Sequence, residues 1–362
     1  MFEPAPSQPE VVFPDHFGFC EGVVAADDLL RDVAIQARLR GIDRVYGYHD
    51  VVHNRDVVAE HEANGVVFVD DIDAIPPESV VVTSAHGVGP EVVYALEDRG
   101  SLVFDAACPL VLHTHKGVER ARQSSEKVIY ICHGKPGSVN KLHDEVQGMV
   151  GHLDYVIRDG ELIEEPVERS FIELHEDPAL VEDLLDANGR YRIVSQTTLH
   201  AEDTFKYRHI LKAHILNLQP EAQVSWSNPG DVCRAVTNRQ KGVNQLIQLS
   251  PRRIVVVTDP MSKNGRSYVD MAERRVKEEG LATEVVAVAN AAEATRLSEI
   301  AGLTGITASA STPDRTTMAV ARQLGLTQEP DIERKKFGLK DARGSTIQDR
   351  LGIFAARLAT SS

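Results

Sequence analysis

Short apolar runs rich in valine and isoleucine alternate along this chain with longer stretches of mixed polarity. Runs at Val11–Phe13, Val45–Tyr48, Val66–Val69, Val80–Thr83, Leu102–Phe104, Val128–Ile131 and Arg192–Val194 predict strands, and the habit resumes at Ile254–Val257, Thr283–Val288 and Gly305–Ala308. Between them Glu21–Leu39, Asn54–Asn64, Pro90–Arg99 and His113–Ser125 read as amphipathic helices, and Ile347–Leu358 as a short one near the end. Strands alternating with helices build mostly parallel sheets, so the fold class is α/β. Cys20, Cys108 and Cys233 each follow a short apolar run and precede a helix-like segment, which places them at equivalent points of three α/β units. Three sheets around a shared centre is the expected architecture. The gap from the second cysteine to the third is the longer one, so the middle unit carries an insertion, with the acidic, weakly patterned stretch Asp159–Gly189 as part of it. The expected division is a disordered lead-in (1–10), α/β domains at 11–107, 108–232 and 233–327, and a tail (328–362) with a basic stretch, ERKKFGLKDARGS.

Composition narrows the function classes. At 362 residues, 42% of them hydrophobic, the chain is long enough for two or three domains. A net charge of −15 repels phosphate backbones, which argues against general nucleic-acid binding. No apolar run approaches the roughly 20 residues that span a bilayer, and MFEPAPSQPE lacks the basic and apolar regions of a signal peptide. Four cysteines in a chain of this size do not make a disulfide scaffold, so a reducing cytoplasm is the expected compartment.

The cysteine pattern suggests particular chemistry. Structural zinc takes four ligands, commonly in close pairs, and iron–sulfur cubes normally take four thiolates. Three thiolates leave one iron open to a substrate oxygen, a Lewis acid that also delivers electrons. In open α/β sheets ligands gather at the carboxyl ends of strands, so the polar residues just after apolar runs are the ones to read. These are His53, His86, His143, Glu145, Gln196, Thr197, Thr198, Ser262, Asn264 and Ser311, with Lys263 inside the same loop. Histidines with hydroxyl and amide donors make a cradle for a polyanion. Alone, each has a plainer reading: Glu145 as a solvated acid, Ser262 and Asn264 as turn formers. Cys132, inside VIYICHG, reads as a buried small hydrophobe, and His113, His115, His133 and His200 carry no motif.

GFCxGV, VVHN, SAHG, DAxCPLV, HxEVxG, QTTL, CxAxTNRQ and SxSxPD occur in that order from about Phe17 to Asp314. In this the chain resembles the 4-hydroxy-3-methylbut-2-enyl diphosphate reductase (LytB) family. The resemblance implies a trefoil of three α/β domains around a central iron–sulfur cluster. It implies reductive removal of an allylic hydroxyl to give isopentenyl and dimethylallyl diphosphates, the last step of the methylerythritol phosphate pathway. Cys20, Cys108 and Cys233 would hold a [4Fe-4S] cluster with one open iron. His53, His86, His143, Thr198, Ser262, Asn264 and Ser311 would bind the diphosphate, joined by Lys263. Glu145, with Thr197, would handle protons, because hydroxide leaves poorly without one. Reduced ferredoxin or flavodoxin would supply electrons.

The chain departs from the family pattern in places. A segment at about Lys135–Leu142 is inserted before His143, and Asp144 replaces a proline. An ungapped alignment would set Lys135 and Gly137 on the His and Glu positions; the gapped one is kept because HxEVxG continues correctly into Gly148 and Gly151. Lys263 stands for a serine, Phe17 for an arginine, Glu21 for a small residue, and Ala107 and Val236 for threonines. Two other readings therefore stand beside the first: a divergent paralogue acting on another allylic or aryl-methyl alcohol, and a non-catalytic iron–sulfur metabolite sensor.

Overall fold

The computed structural model describes residues 10–136, 143–226, 231–297, 302–330 and 346–361. The lead-in except Glu10, the inserted segment beyond Pro136 and the basic ERKKFGLKDARGS stretch lie outside the described residues. The chain begins with β1 (Glu10–Val12), α1 (Glu21–Arg38), β2 (Val45–Tyr48), α2 (Arg55–Ala63), β3 (Val66–Val69), β4 (Val80–Thr83), α3 (Pro90–Asp98), β5 (Leu102–Phe104), α4 (Pro109–Ser124) and β6 (Lys127–Cys132). There follow α5 (Asp144–Asp154), β7 (Tyr155–Arg158), β8 (Glu161–Glu164), β9 (Arg169–Glu173), β10 (Arg190–Ser195), α6 (Ala201–Leu218) and β11 (Gln223–Ser225). The last elements are α7 (Arg234–Gln248), β12 (Arg253–Val257), α8 (Lys263–Glu278), β13 (Glu284–Val288), α9 (Ala291–Ala294), β14 (Leu303–Ala308), α10 (Asp314–Gln323) and α11 (Ile347–Ser361). Among the described residues no helix is long and apolar enough to cross a membrane.

The expected strands are all present, and the α/β class with mostly parallel sheets is borne out. Three four-stranded sheets, ordered β1-β14-β12-β13, β3-β2-β4-β5 and β11-β10-β6-β9, are parallel throughout; the exception is the antiparallel β7–β8 pair.

The chain forms two compact units. The first comprises 1–24, 52–59 and 234–337 and contains the sheet with β12 at its interior. Here Ile254 and Val256 pack with Val243 and Leu246 of α7 and Tyr268 and Met271 of α8. Val255 and Val257 point to the opposite face and meet Ala294 of α9 and Val320 and Ala321 of α10. Cover on both faces favours successive apolar side chains, which is why Ile254–Val257 of β12 reads as a continuous run. The chain's first strand, β1, is the edge of this sheet, paired with β14.

The second unit comprises 25–51, 60–233 and 338–362 and holds the other two sheets. In β6 the same alternation recurs: Ile129 and Ile131 pack with Tyr207, Leu211 and Ile215 of α6, while Val128, Tyr130 and Cys132 pack with Val118 of α4 and with Val146, Met149 and Leu153 of α5. The weakly patterned stretch Asp159–Gly189 contains β8, β9 and a short 3-10 helix at Pro178–Leu184. β9 is an edge strand and mostly half-buried, so it has no need of the apolar run that betrays a central strand.

Candidate active site

In the second unit the sequence-predicted acid and its relay meet. α5 begins at Asp144, and His143 caps it: its Nδ1 accepts the Glu145 N–H at 3.2 Å. An Nδ1 that accepts is unprotonated, so neutral His143 carries its hydrogen on Nε2 and offers that as a donor. Glu145, in the first turn, is fully buried. Its Oε1 accepts the Thr197 N–H at 2.6 Å and its Oε2 the Thr197 hydroxyl at 3.1 Å. Burial pushes the Glu145 carboxyl up to about 7; the two Thr197 hydrogen bonds oppose this and the Asp231 charge adds to it. The acid therefore holds its proton up to neutrality.

Glycines set this geometry. A Cβ at Gly148 would lie 2.9 Å from the Gly87 carbonyl oxygen, and one at Gly151 would lie 2.6 Å from the Gly89 Cα. The α5 backbone thus packs directly on the loop that carries His86. The His86 and His143 rings meet edge to face with centroids 5.3 Å apart, and a carboxylate oxygen of Asp144 lies 4.0 Å from His86 Nδ1. The expected continuation of the motif into Gly148 and Gly151 thus has a physical cause. His133, which carries no motif, is exposed, and its N–H donates to Gln196 Oε1 at 3.0 Å. Gln196 Nε2 donates to the Thr198 hydroxyl at 3.0 Å, so Thr198 belongs to the Gln196 side of the turn and not to Glu145.

Cys108 caps α4, and its N–H donates to Ala85 O at 3.0 Å. The loop before it is pinned by Asp105, which accepts from the Thr83 hydroxyl and the Ala107 N–H at 3.0 and 2.9 Å. Cys233 precedes α7 and donates its N–H to Thr197 O at 2.9 Å, so one threonine backbone joins the acid to a cysteine loop. Behind it lies a buried ion pair absent from the sequence reading. Arg208 donates to Asp231 at 2.8 Å and also to the Ser195 hydroxyl, and Asp231 accepts the Ser195 N–H at 3.0 Å.

In the first unit the predicted anion donors converge at the carboxyl ends of β12 and β14. Ser262 caps α8, its hydroxyl accepting the Gly265 N–H at 3.1 Å and the Ser311 hydroxyl at 3.3 Å. The Asn264 side-chain nitrogen and oxygen are both buried and, among the described residues, have no hydrogen-bond partner. Lys263 is exposed, in the first turn of α8. The N-terminus of a helix, two hydroxyls and an unsatisfied amide suit an anion. His53 is half-buried in the segment just before α2. That segment is tied to the Ser262 loop by Asp259, which takes the Arg55 N–H and Nε at 3.1 Å and the Met261 N–H at 2.7 Å. Asp259 and Arg55 were not singled out from sequence.

Cys20 lies at the start of α1 in this unit and is half-buried; the Val23 N–H donates to its sulfur at 3.4 Å. None of the four cysteines is in a disulfide. Three of them sit at the starts of helices α1, α4 and α7. The fourth, Cys132, is fully buried inside β6, and desolvation pushes its thiol up to about 12. The donor set is thus three half-buried thiols at helix starts and an inert fourth.

Residues 11–325 match the family model described as LytB protein. The chain belongs to the LytB family. Curated LytB relatives include the 4-hydroxy-3-methylbut-2-enyl diphosphate reductase of Histophilus somni, 30% identical over 90% of this chain and 93% of that protein. The protein of the same name from Chromohalobacter salexigens is 33% identical over 85% of this chain and 86% of its own length. The solved E-1-hydroxy-2-methyl-but-2-enyl-4-diphosphate reductase of Plasmodium falciparum shares the fold at a TM-score of 0.71, with 21% identity over 98% of this chain and 99% of that one. A second solved structure, of (E)-4-hydroxy-3-methyl-but-2-enyl diphosphate reductase, gives 0.59 with 24% identity over 87% of this chain and 98% of that one. Within this LytB chain, Asp231 and Asp259 are additions that only the structure supplies.

Proposed function

We propose that this chain reduces 4-hydroxy-3-methylbut-2-enyl diphosphate to isopentenyl and dimethylallyl diphosphates, with electrons from a reduced ferredoxin or flavodoxin. Family membership and the names of the curated relatives support the activity. The observation in the fold that carries it is Glu145, a buried acid pushed up to about 7 and held by two Thr197 donors. Converting an allylic C–OH to C–H and water consumes two electrons and two protons. Hydroxide is a poor leaving group, so one proton must reach the departing oxygen, and Glu145 holds one at neutral pH.

The thiols of Cys20, Cys108 and Cys233 fit a [4Fe-4S] cluster with three protein ligands: they are outside any disulfide, half-buried and at helix starts. When bound, such a cluster would pass on the donor's two electrons one at a time and offer an open iron to polarise the substrate C–O bond. Ser262, Asn264 and Ser311 bind the diphosphate through hydroxyl and amide donors; the family resemblance implies the same role for His53, His86, His143 and Thr198, and Lys263 adds positive charge at the start of α8. Fixing the diphosphate places a small apolar chain for reaction. Thr197 orients the Glu145 carboxyl. No observation favours the paralogue or the metabolite sensor.

The test is an anaerobic assay with the hydroxylated diphosphate under strong reductant, following both isomers by mass, with iron and sulfide measured on the same sample. Turnover to both isomers is expected; an intact cluster with no turnover on this substrate overturns the assignment.

A further inference from the structure

α7 carries the CxAxTNRQ arginine, Arg239, to which the proposed chemistry gives no role. Its side chain is 3% exposed. Nε donates to Gly18 O at 2.8 Å, Nη2 to Phe19 O at 2.9 Å and Nη1 to Ala235 O at 3.0 Å. All three acceptors are backbone carbonyls, and among the described residues no carboxylate pairs with this guanidinium. The other arginines this deeply buried do have one: Arg208 meets Asp231 at 2.8 Å and Arg253 meets Glu284 at 2.6 Å. A buried cation without a counter-anion is costly unless something nearby carries negative charge.

Phe19 immediately precedes Cys20, so the guanidinium grips the turn that presents this sulfur. Lone carbonyl dipoles orient Arg239 but leave its full charge unneutralised. A thiolate-ligated cluster is anionic and becomes more so on reduction. A fixed positive charge in a water-poor site therefore stabilises the reduced form more than the oxidised one.

We propose that Arg239 is a positioning residue for the cluster: it fixes the Gly18–Cys20 turn and, through its uncompensated charge, raises the reduction potential of the cluster that Cys20 ligates. This rests on the reading of the three cysteines as cluster ligands.

The experiment is a redox titration of the anaerobically purified full chain, followed by electron paramagnetic resonance, on the wild type and on Arg239→Met, Arg239→Gln and Arg239→Lys. The two neutral variants should have a lower midpoint, at least about tenfold in the one-electron reduction constant or about 59 mV. The lysine variant, which keeps the charge, should stay near wild type. Neutral variants that load the cluster and keep the wild-type midpoint overturn the proposal, as does a lysine variant lowered as far as they are. If the neutral variants fold by circular dichroism but do not load, the lysine variant decides. Loading with the wild-type midpoint supports the charge. Failure to load, or a lowered midpoint, shows that only the fork geometry matters and overturns it. A wild type without any cluster signal is a different result: it removes the reading of the cysteines before Arg239 is tested.

Discussion

The surroundings of Glu145 and those of Asn264 are built on opposite plans. Around Glu145 each carboxyl oxygen has a donor, and the group is fully buried. Around Asn264 the amide is shielded from solvent but makes no hydrogen bond among the described residues, although the hydroxyls of Ser262 and Ser311 are linked to one another. One region is complete without a ligand and stores a proton. The other pays the desolvation of two polar atoms and recovers it only when an acceptor and donor arrive. On the proposed function the first region serves chemistry and the second binding, and this contrast can be broken experimentally.

The largest effect should come from Glu145→Gln. Glutamine keeps the shape and can still accept the Thr197 N–H, but it has no proton to give. A loss of about 10²–10⁴-fold in kcat is expected, the usual range for a positioned acid. In the wild type kcat/KM should fall as pH rises through about 7, because Glu145 then loses its proton, and this limb should be missing from the variant. Wild-type turnover in the variant would end the assignment of Glu145 as the acid.

Asn264→Ala should be milder and of a different kind. It removes donors that a diphosphate would satisfy, and hydrogen bonds to charged groups contribute about 1.5–3 kcal/mol. Steady-state kinetics should show KM rising about 10–100-fold, with kcat changed much less. A drop in kcat at constant KM would place Asn264 with the chemistry and erase the contrast between the two regions.

What was legible in the sequence follows the same division between local and distant causes. Central strands such as β6 and β12 declared themselves because both faces are covered. β9 and β11, at sheet edges and half-buried, did not. α4 begins four residues before the expected His113, because Pro109 is a good first helical residue. Glu145 was reachable through the glycines that follow it, since Gly148 and Gly151 have no room for a side chain. The carboxylates that hold loops in place were not reachable. Asp231 bonds Ser195 across 36 residues and Asp259 bonds Arg55 across 204, and nothing near either acid in the chain announces its partner.

The smallest effect is the most discriminating, because it perturbs the complete region without emptying it. Thr197→Val keeps the backbone N–H on Glu145 Oε1 but deletes the hydroxyl on Oε2. Both Thr197 bonds favour the charged carboxylate and so hold its proton affinity down against burial. Removing one lets burial act with less opposition, so the carboxyl should titrate higher than in the wild type. A neutral hydroxyl bond is worth about 1 kcal/mol, which is under one pH unit. The falling limb of kcat/KM should therefore move to higher pH by a fraction of a unit, while the plateau below it stays within a few-fold of wild type. A limb that moves to lower pH would mean that the hydroxyl serves the protonated acid instead, as a proton relay rather than as an anchor for the anion.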